Sequence, residues 1–226
     1  EAMYKIEQQH QRDPILAVML QEHHITRGRL EQEDLVARAR TKFGLLYIQA
    51  HRPATEGKGG AAIIIPIDSV QKPKETRDQA LQRITNSITR SDDGRVVTVD
   101  VEIDGTQVSL ASVYAPVAYT NRPAFFNDVV APRVKDNTIM SIDANCVPDT
   151  TLDLLRQGTS EWKNHGALEL HNITTAHDLS DIVREKLGQS PLFTNHTNTS
   201  QGITKTRIDQ IYTPQLDGIT LSLIHI

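Results

Sequence analysis

Cysteine is nearly absent from this chain: Cys146 stands alone in 226 residues. An intrachain disulfide is therefore excluded, and the usage suits a reducing compartment. Long apolar runs are missing as well. The longest, at 15–20 and 61–65, fall far short of the ~18–20 residues a membrane span needs, so no membrane segment is expected. Positive charge is not in excess either: 24 Lys and Arg stand against 28 Asp and Glu, for a net charge of −4. That excludes a basic nucleic-acid arm and weakens a passive DNA-binding reading, because such binding rests on phosphate neutralisation. It counts less against an enzyme, whose metal site brings acidic residues of its own. No repeat, low-complexity tract or linker divides the chain, so residues 1–220 read as one domain. At 38% hydrophobic, a chain of this size buries roughly 70% of its unfolded surface.

The apolar run at 15–20 ends in Gln21-Glu22 and reads as a strand buried on both faces. Residues 31–43 carry Leu35, Val36, Ala39 and Phe43 at helical spacing, closed by Gly44 as a C-cap. Residues 45–50 and 61–65 read as strands, the second entered through Gly57-Lys58-Gly59-Gly60. That glycine run lacks the Gly-Lys-Ser/Thr ending of a phosphate loop and is read as a tight turn. Leu81, Ile84 and Ile88 suggest a short surface helix or an ordered loop within 72–93. Val97, Val99, Val101 and Ile103 alternate with polar residues, Asp104-Gly105 turns the chain, and Val108, Leu110 and Ser112 alternate on the way back, a strong hairpin signal. Residues 121–130 read as helix, 138–142 as a buried strand, 151–156 as the start of a helix, 178–187 as a helix N-capped by Asp178, and 207–212 as a last strand. Interleaved helices with antiparallel hairpins favour two packed sheets with outer helices over a doubly wound parallel sheet.

Polar residues end several of these strands without a packing reason. Glu22 ends the first, Tyr114 the return strand of the hairpin, Asp143 and Asn145 the central strand, and Asp209 lies in the last. Carboxylates are almost never buried without a partner, so each either caps a loop or faces a cleft. In order, Gln21-Glu22-His23-His24, Gly59-Gly60-Ala61, Ser112-Val113-Tyr114-Ala115-Pro116, Asp143-Ala144-Asn145 and Thr206-Arg207-Ile208-Asp209-Gln210-Ile211-Tyr212 resemble the motifs of the endonuclease/exonuclease/phosphatase superfamily. The run Asn145-Cys146-Val147-Pro148-Asp149, with the Tyr-Ala-Pro, is most similar to endonuclease domains of non-LTR retrotransposons. The resemblance spans residues 15–213.

It implies an α/β fold, a four-layered sandwich of two mixed β-sheets flanked by helices. It also implies a DNA endonuclease that nicks a phosphodiester by metal-assisted attack of water. Glu22 would ligate Mg²⁺, with Mn²⁺ as the alternative. Asp143 would orient or deprotonate the water, Asn145 would hold a phosphate oxygen, Tyr114 would contact the phosphate or a metal-bound oxygen, and Asp209 would orient a catalytic histidine. In-line attack on a phosphodiester builds negative charge, which a metal and fixed donors offset. The implied partners are DNA and a reverse transcriptase in the same parent polypeptide, and the implied location is intracellular, in the nucleus.

Other conspicuous residues carry structural readings: His24 as structural, Asp178 and Asp181 as helix caps, Cys146 as a small core residue, and the triplets at Asn172, Asn195 and Asn198 as chance glycosylation signals. The chain departs from the resemblance at Ile142 and Ala144, where a glycine and an aromatic are usual. No Ser-Asp-His triplet occurs anywhere, and an Asn-bearing strand is expected before residue 15. The chain is thus expected to be cut short at both ends and inactive as given. Residues 221–226 match the translated end of a transposase sequencing adapter. The alternatives are a phosphatase or apurinic endonuclease of the same superfamily, or a decayed, non-catalytic copy.

Overall fold

A computed structural model describes residues 2–23, 44–50, 60–103, 105–157, 161–199 and 202–215. The expected helix at 31–43, His24, the glycines at 57–59, Asp104 and the tail at 221–226 lie outside the described residues. The chain divides into two compact units, residues 1–114 and 115–226.

The first unit opens on helix α1 (Ala2–Arg12), which the sequence reading did not anticipate. Its Ile6 packs with Leu45, Tyr47, Ala62 and Ile64, and Ile15, Val18 and Leu20 lie against that cluster. Strand β1 (Val18–Gln21) begins three residues later than expected and is half-buried rather than buried on both faces; it pairs with β3. Strands β2 (Leu45–Gln49) and β3 (Ala61–Pro66) occupy the expected places, and every residue of β3 is buried. The order is β1-β3-β2, with Val18 opposite Ile64 and Tyr47 opposite the same residue. Both faces of β3 are buried, which is why Ala61 to Ile65 is a continuous apolar run.

Helix α2 (Arg77–Ser87) starts on a capping box between Thr76 and Gln79 and buries Ala80, Leu81 and Ile84. The short strand β4 (Thr89–Arg90) pairs with β5 (Val96–Ile103), which pairs with β6 (Thr106–Tyr114) from Val96 opposite Val113 to Ile103 opposite Thr106. The hairpin is the expected one. Its solvated face is not: Val96, Thr98, Ser109, Ala111 and Val113 are buried along with Val97, Val99, Val108 and Leu110. Each Val or Leu so enclosed contributes ~1.5–3 kcal/mol of transfer free energy.

The second unit begins with a helical stretch, a 3₁₀ turn at Tyr119–Asn121, then α3 (Arg122–Ala124), continuing as a π turn over Phe125–Val130. Strand β7 (Thr138–Asp143) follows. Residues 151–156 are not a helix. Asp149 Oδ1 accepts the Thr151 and Leu152 N–H groups at 2.7 and 3.2 Å, closing a turn, and β8 (Leu154–Gln157) then runs extended. Helix α4 (Ala167–Ala176) and strand β9 (Ser180–Asp181) lead to α5 (Ile182–Leu187). The cap of α5 is Asp181, one of the two expected caps, whose Oδ1 accepts the Arg184 N–H at 3.1 Å; Asp178, the other, sits three residues earlier with φ of 50°. A hairpin of β10 (Asn195–Thr199) and β11 (Gly202–Thr206) pairs with β8 in the order β10-β11-β8. The last strand, β12 (Asp209–Thr213), starts two residues later than expected and pairs with both β7 and β9. Within each unit, every ladder among the described residues is antiparallel. Among the described residues, no helix is long and apolar enough to cross a membrane.

Candidate active site

In the first unit, β1 and β6 deliver two of the expected residues to one place. Gln21 Nε2 donates to Ser112 Oγ at 3.0 Å, and that hydroxyl donates to the Leu20 carbonyl at 2.9 Å. The strand end is thereby fixed against β6, and the Tyr114 hydroxyl donates to Glu22 Oε1 at 2.6 Å. A hydrogen bond this short to a carboxylate is charge-assisted and among the stronger kinds. Glu22 is exposed while Tyr114 is buried, so a buried hydroxyl aims an exposed carboxylate. Arg95 completes the arrangement: its guanidinium carbon lies 5.0 Å from the Tyr114 ring centroid, within cation–π range, and its carbonyl accepts the Tyr114 N–H at 2.8 Å.

Glu22 adopts φ of 53°, a conformation that costs a non-glycine residue ~1–3 kcal/mol and is seen where the surroundings impose it. The turn brings His23 so close to Gly60 that a Cβ there would lie 2.6 Å from His23 Nε2. Gly60, with φ of 115°, is thus required for contact as well as for turning.

In the second unit, β7 and β12 set Asp143 and Asp209 directly opposite one another. Asp143 is 8% exposed, and its Oδ1 accepts the Asn145 N–H at 3.0 Å. Asn145 has φ of 50°, and its Nδ2 donates to the Ala115 carbonyl at 3.0 Å. The Ala115 N–H donates in turn to the Asp143 carbonyl at 2.8 Å. An amide has two N–H donors, so this bond fixes the Asn145 side chain and uses one of them. Asp209 is half-buried, and its N–H donates to Thr194 Oγ1 at 3.2 Å. Among the described residues, no histidine lies against its carboxylate. Among the described residues, four non-glycine residues carry a positive φ, Lys74 and Asp178 being the others; Glu22 and Asn145 are two of the candidate residues.

Three residues that hold this geometry were not singled out from sequence. Arg95 braces Tyr114. Arg122, 6% exposed, donates through Nε and Nη2 to the carbonyls of Pro116 and Val117 at 2.9 and 2.8 Å, fixing the segment that follows Ala115. Burial lowers its pKa, and the nearby Asp143 and Cys146 oppose that. Arg207 is fully buried, with Nε donating to Asp153 Oδ1 at 2.7 Å and Nη2 to Asp153 Oδ2 at 3.1 Å and Asp181 Oδ2 at 2.7 Å. Burial would lower its pKa, but the two carboxylates raise it. A lone arginine in a sequence gives no sign of being buried. Arg207 does stand two positions before a candidate carboxylate. Cys146 is a core residue as expected: burial pushes its thiol up to about 12.

Among the described residues, no group of three or more His, Cys, Asp or Glu is arranged to hold a metal. That donor set does not make a protein cage. An exposed carboxylate held by one hydrogen bond, as Glu22 is, is chemically suited to a hard cation such as Mg²⁺, which keeps several waters and takes one or two carboxylates plus substrate oxygens.

No family model matches the sequence, and no curated protein matches it. Solved structures do. AP endonuclease LMAP from Leishmania major aligns with a TM-score of 0.62 and 11% identity, over 93% of this chain and 73% of that one. The 3′ phosphatase NExo from Neisseria, bound to a product DNA hairpin, aligns at 0.59 and 13%, over 94% and 81%. The endonuclease domain of TRAS1, a telomere-specific non-LTR retrotransposon, aligns at 0.53 and 17%, over 95% and 78%. Identities this low carry the fold alone. The fold of this chain is the α/β fold of the endonuclease/exonuclease/phosphatase superfamily, as its motifs implied.

Proposed function

We propose that this chain is a metal-dependent phosphodiesterase that nicks DNA, and that it derives from the endonuclease domain of a retrotransposon-type protein. The observation that carries the reading is Asp143: a carboxylate 8% exposed at the end of β7, oriented by the Asn145 N–H and set opposite a second carboxylate, Asp209. A buried acid oriented by a fixed donor is the kind of group that accepts a proton from an attacking water. Asn145, held by the Ala115 carbonyl, has a second N–H for a phosphate oxygen. Glu22, aimed by the Tyr114 hydroxyl, is the group that would hold Mg²⁺ or Mn²⁺. When bound, the cation would offset the charge that builds on the phosphate oxygens. Nicking would leave a 3′-hydroxyl able to prime a reverse transcriptase of the same parent polypeptide, with the nucleus as the place of action.

The test is nicking of supercoiled plasmid by the full chain, with and without a divalent cation and with and without added imidazole. The imidazole arm addresses Asp209, which would orient a histidine that no Ser-Asp-His in this sequence supplies. The expected result is no nicking by the chain alone, cation-dependent nicking once imidazole is added, and none in Asp143→Ala. Folded protein that nicks in no arm, or that nicks equally well without cation, would contradict the reading.

A second reading is an abasic-site endonuclease or 3′ phosphatase, favoured by the higher TM-scores to LMAP and NExo, 0.62 and 0.59 against 0.53 for TRAS1. An oligonucleotide with an abasic site and one with a 3′-phosphate, run beside the plasmid, separate the two.

A further inference from the structure

The segment after Ala115 carries exposed apolar surface with no packing use: Val117 is 65% exposed and Tyr119 42%. Tyr119 already has a neighbour. The His165 ring centroid lies 5.0 Å from that of Tyr119, tilted by 53°. Exposed rings on loops are common, but these two loops are locked. Arg122 holds the Pro116 and Val117 carbonyls and donates its backbone N–H to the Tyr119 carbonyl. On the other side, the Asn164 side chain is bonded twice to Val147, accepting its N–H and donating to its carbonyl, both at 2.9 Å, and it also accepts the Trp162 indole N–H at 3.1 Å. The two segments meet at Gly166, where φ is 94° and a Cβ would lie 2.7 Å from both Arg122 Cβ and Phe126 Cε2. Val147 lies two residues beyond Asn145. The ring pair is therefore prearranged on supports that begin at the end of β7.

We propose that Tyr119 and His165 form a stacking platform for a nucleobase of the DNA strand attacked at Asp143, a reading that rests on the DNA phosphodiesterase function above. The charge balance favours a base over the phosphate backbone as its occupant. The chain carries a net charge of −4, and Lys163, on the same loop as His165, is paired with Glu161. Phosphate neutralisation is thus a poor source of affinity here, whereas every base offers a π face to an aromatic ring. A platform held in place before binding also spares the entropy of ordering a loop.

The experiment is titration of the full chain with a DNA oligonucleotide carrying 2-aminopurine, read by fluorescence quenching at several salt concentrations, with plasmid nicking measured alongside. Tyr119→Ala is expected to weaken binding by about 5- to 150-fold and to remove the quench, with the slope of log affinity against log salt unchanged because no phosphate contact is lost. Tyr119→Phe should behave as the parent chain, and His165→Ala should fall between. Thermal melting confirms that each variant is folded. Parent-like binding by Tyr119→Ala, an equal loss in Tyr119→Phe, or a reduced salt slope would overturn the platform. A parent chain that nicks DNA while Tyr119→Ala binds normally overturns the platform alone. A parent chain that binds and is quenched by DNA but never nicks it overturns only the nuclease reading, and a parent chain that binds no DNA overturns both.

Discussion

The hairpin of β5 and β6 and the surroundings of Arg207 are both interior, yet they are held by opposite means. The hairpin is buried on both faces from Val96 to Val99 and from Val108 to Val113, and its stability follows mainly from apolar area removed from water. Around Arg207 the interior is ionic: Asp153, fully buried, bridges Arg207 and Arg184, and Asp181 binds Arg207 while capping α5. The hairpin ends in Tyr114, which aims Glu22; the ionic cluster ends two residues before Asp209. Apolar packing tolerates change in proportion to the volume lost. A buried ion network does not, because removing one member leaves the others charged and without compensation.

Arg207→Met should therefore be the most damaging single change, destabilising by about 3–5 kcal/mol in denaturant titration, with Asp153→Leu in the same chain restoring part of the loss. A double variant no better than the sum of its singles would show that the carboxylate and guanidinium do not depend on each other. In the hairpin, Leu110→Ala should cost about 2–5 kcal/mol, and a second hairpin change more than ~7–10 Å away should simply add. Thr76→Ala, which breaks the capping box of α2, should cost about 1 kcal/mol, read as a lower midpoint with unchanged slope. The smallest effect is expected from Glu75, whose hydrogen bonds and ion pair with Arg83 hold its carboxyl at about 2. A depressed folded-state pKa stabilises above the ordinary value of 4.5 and is lost as pH falls toward about 2. Glu75→Gln should flatten the stability profile in that window and leave it unchanged at neutral pH apart from a constant offset.

The same contrast explains what could be read from sequence. Period-two alternation and an Asp-Gly turn announced β5 and β6, and an unbroken apolar run announced β3, because hydrophobic burial writes itself into residue order. It did not reveal that the polar face of the hairpin is covered too, since Thr98 and Ser109 are small enough to be buried on either account. Polar interiors leave no such pattern. Residues 151–156 read as a helix start where the Asp149 side chain closes a turn, and of the two expected caps, Asp178 and Asp181, only the second caps α5. The hairpin of β10 and β11, largely Thr and Asn, has no apolar alternation to find. Candidate site residues were legible for a different reason: Glu22, Tyr114, Asp143, Asn145 and Asp209 are polar where strands had no need of them. The supports beneath them, Arg95, Arg122 and Arg207, were not, because each acts through backbone carbonyls, a ring or carboxylates distant in sequence.

The central claim is that Asp143 handles the attacking water while Asn145 only holds a phosphate oxygen. The most direct measurement is kcat for cation-dependent nicking by Asp143→Ala and Asn145→Ala, each confirmed as folded by thermal melting. Loss of one positioned donor costs ~10²–10³-fold, so Asn145→Ala should fall in that range, and Asp143→Ala should fall further because proton acceptance is lost as well. Equal and small losses from both would contradict the account and leave the end of β7 as a structural feature alone.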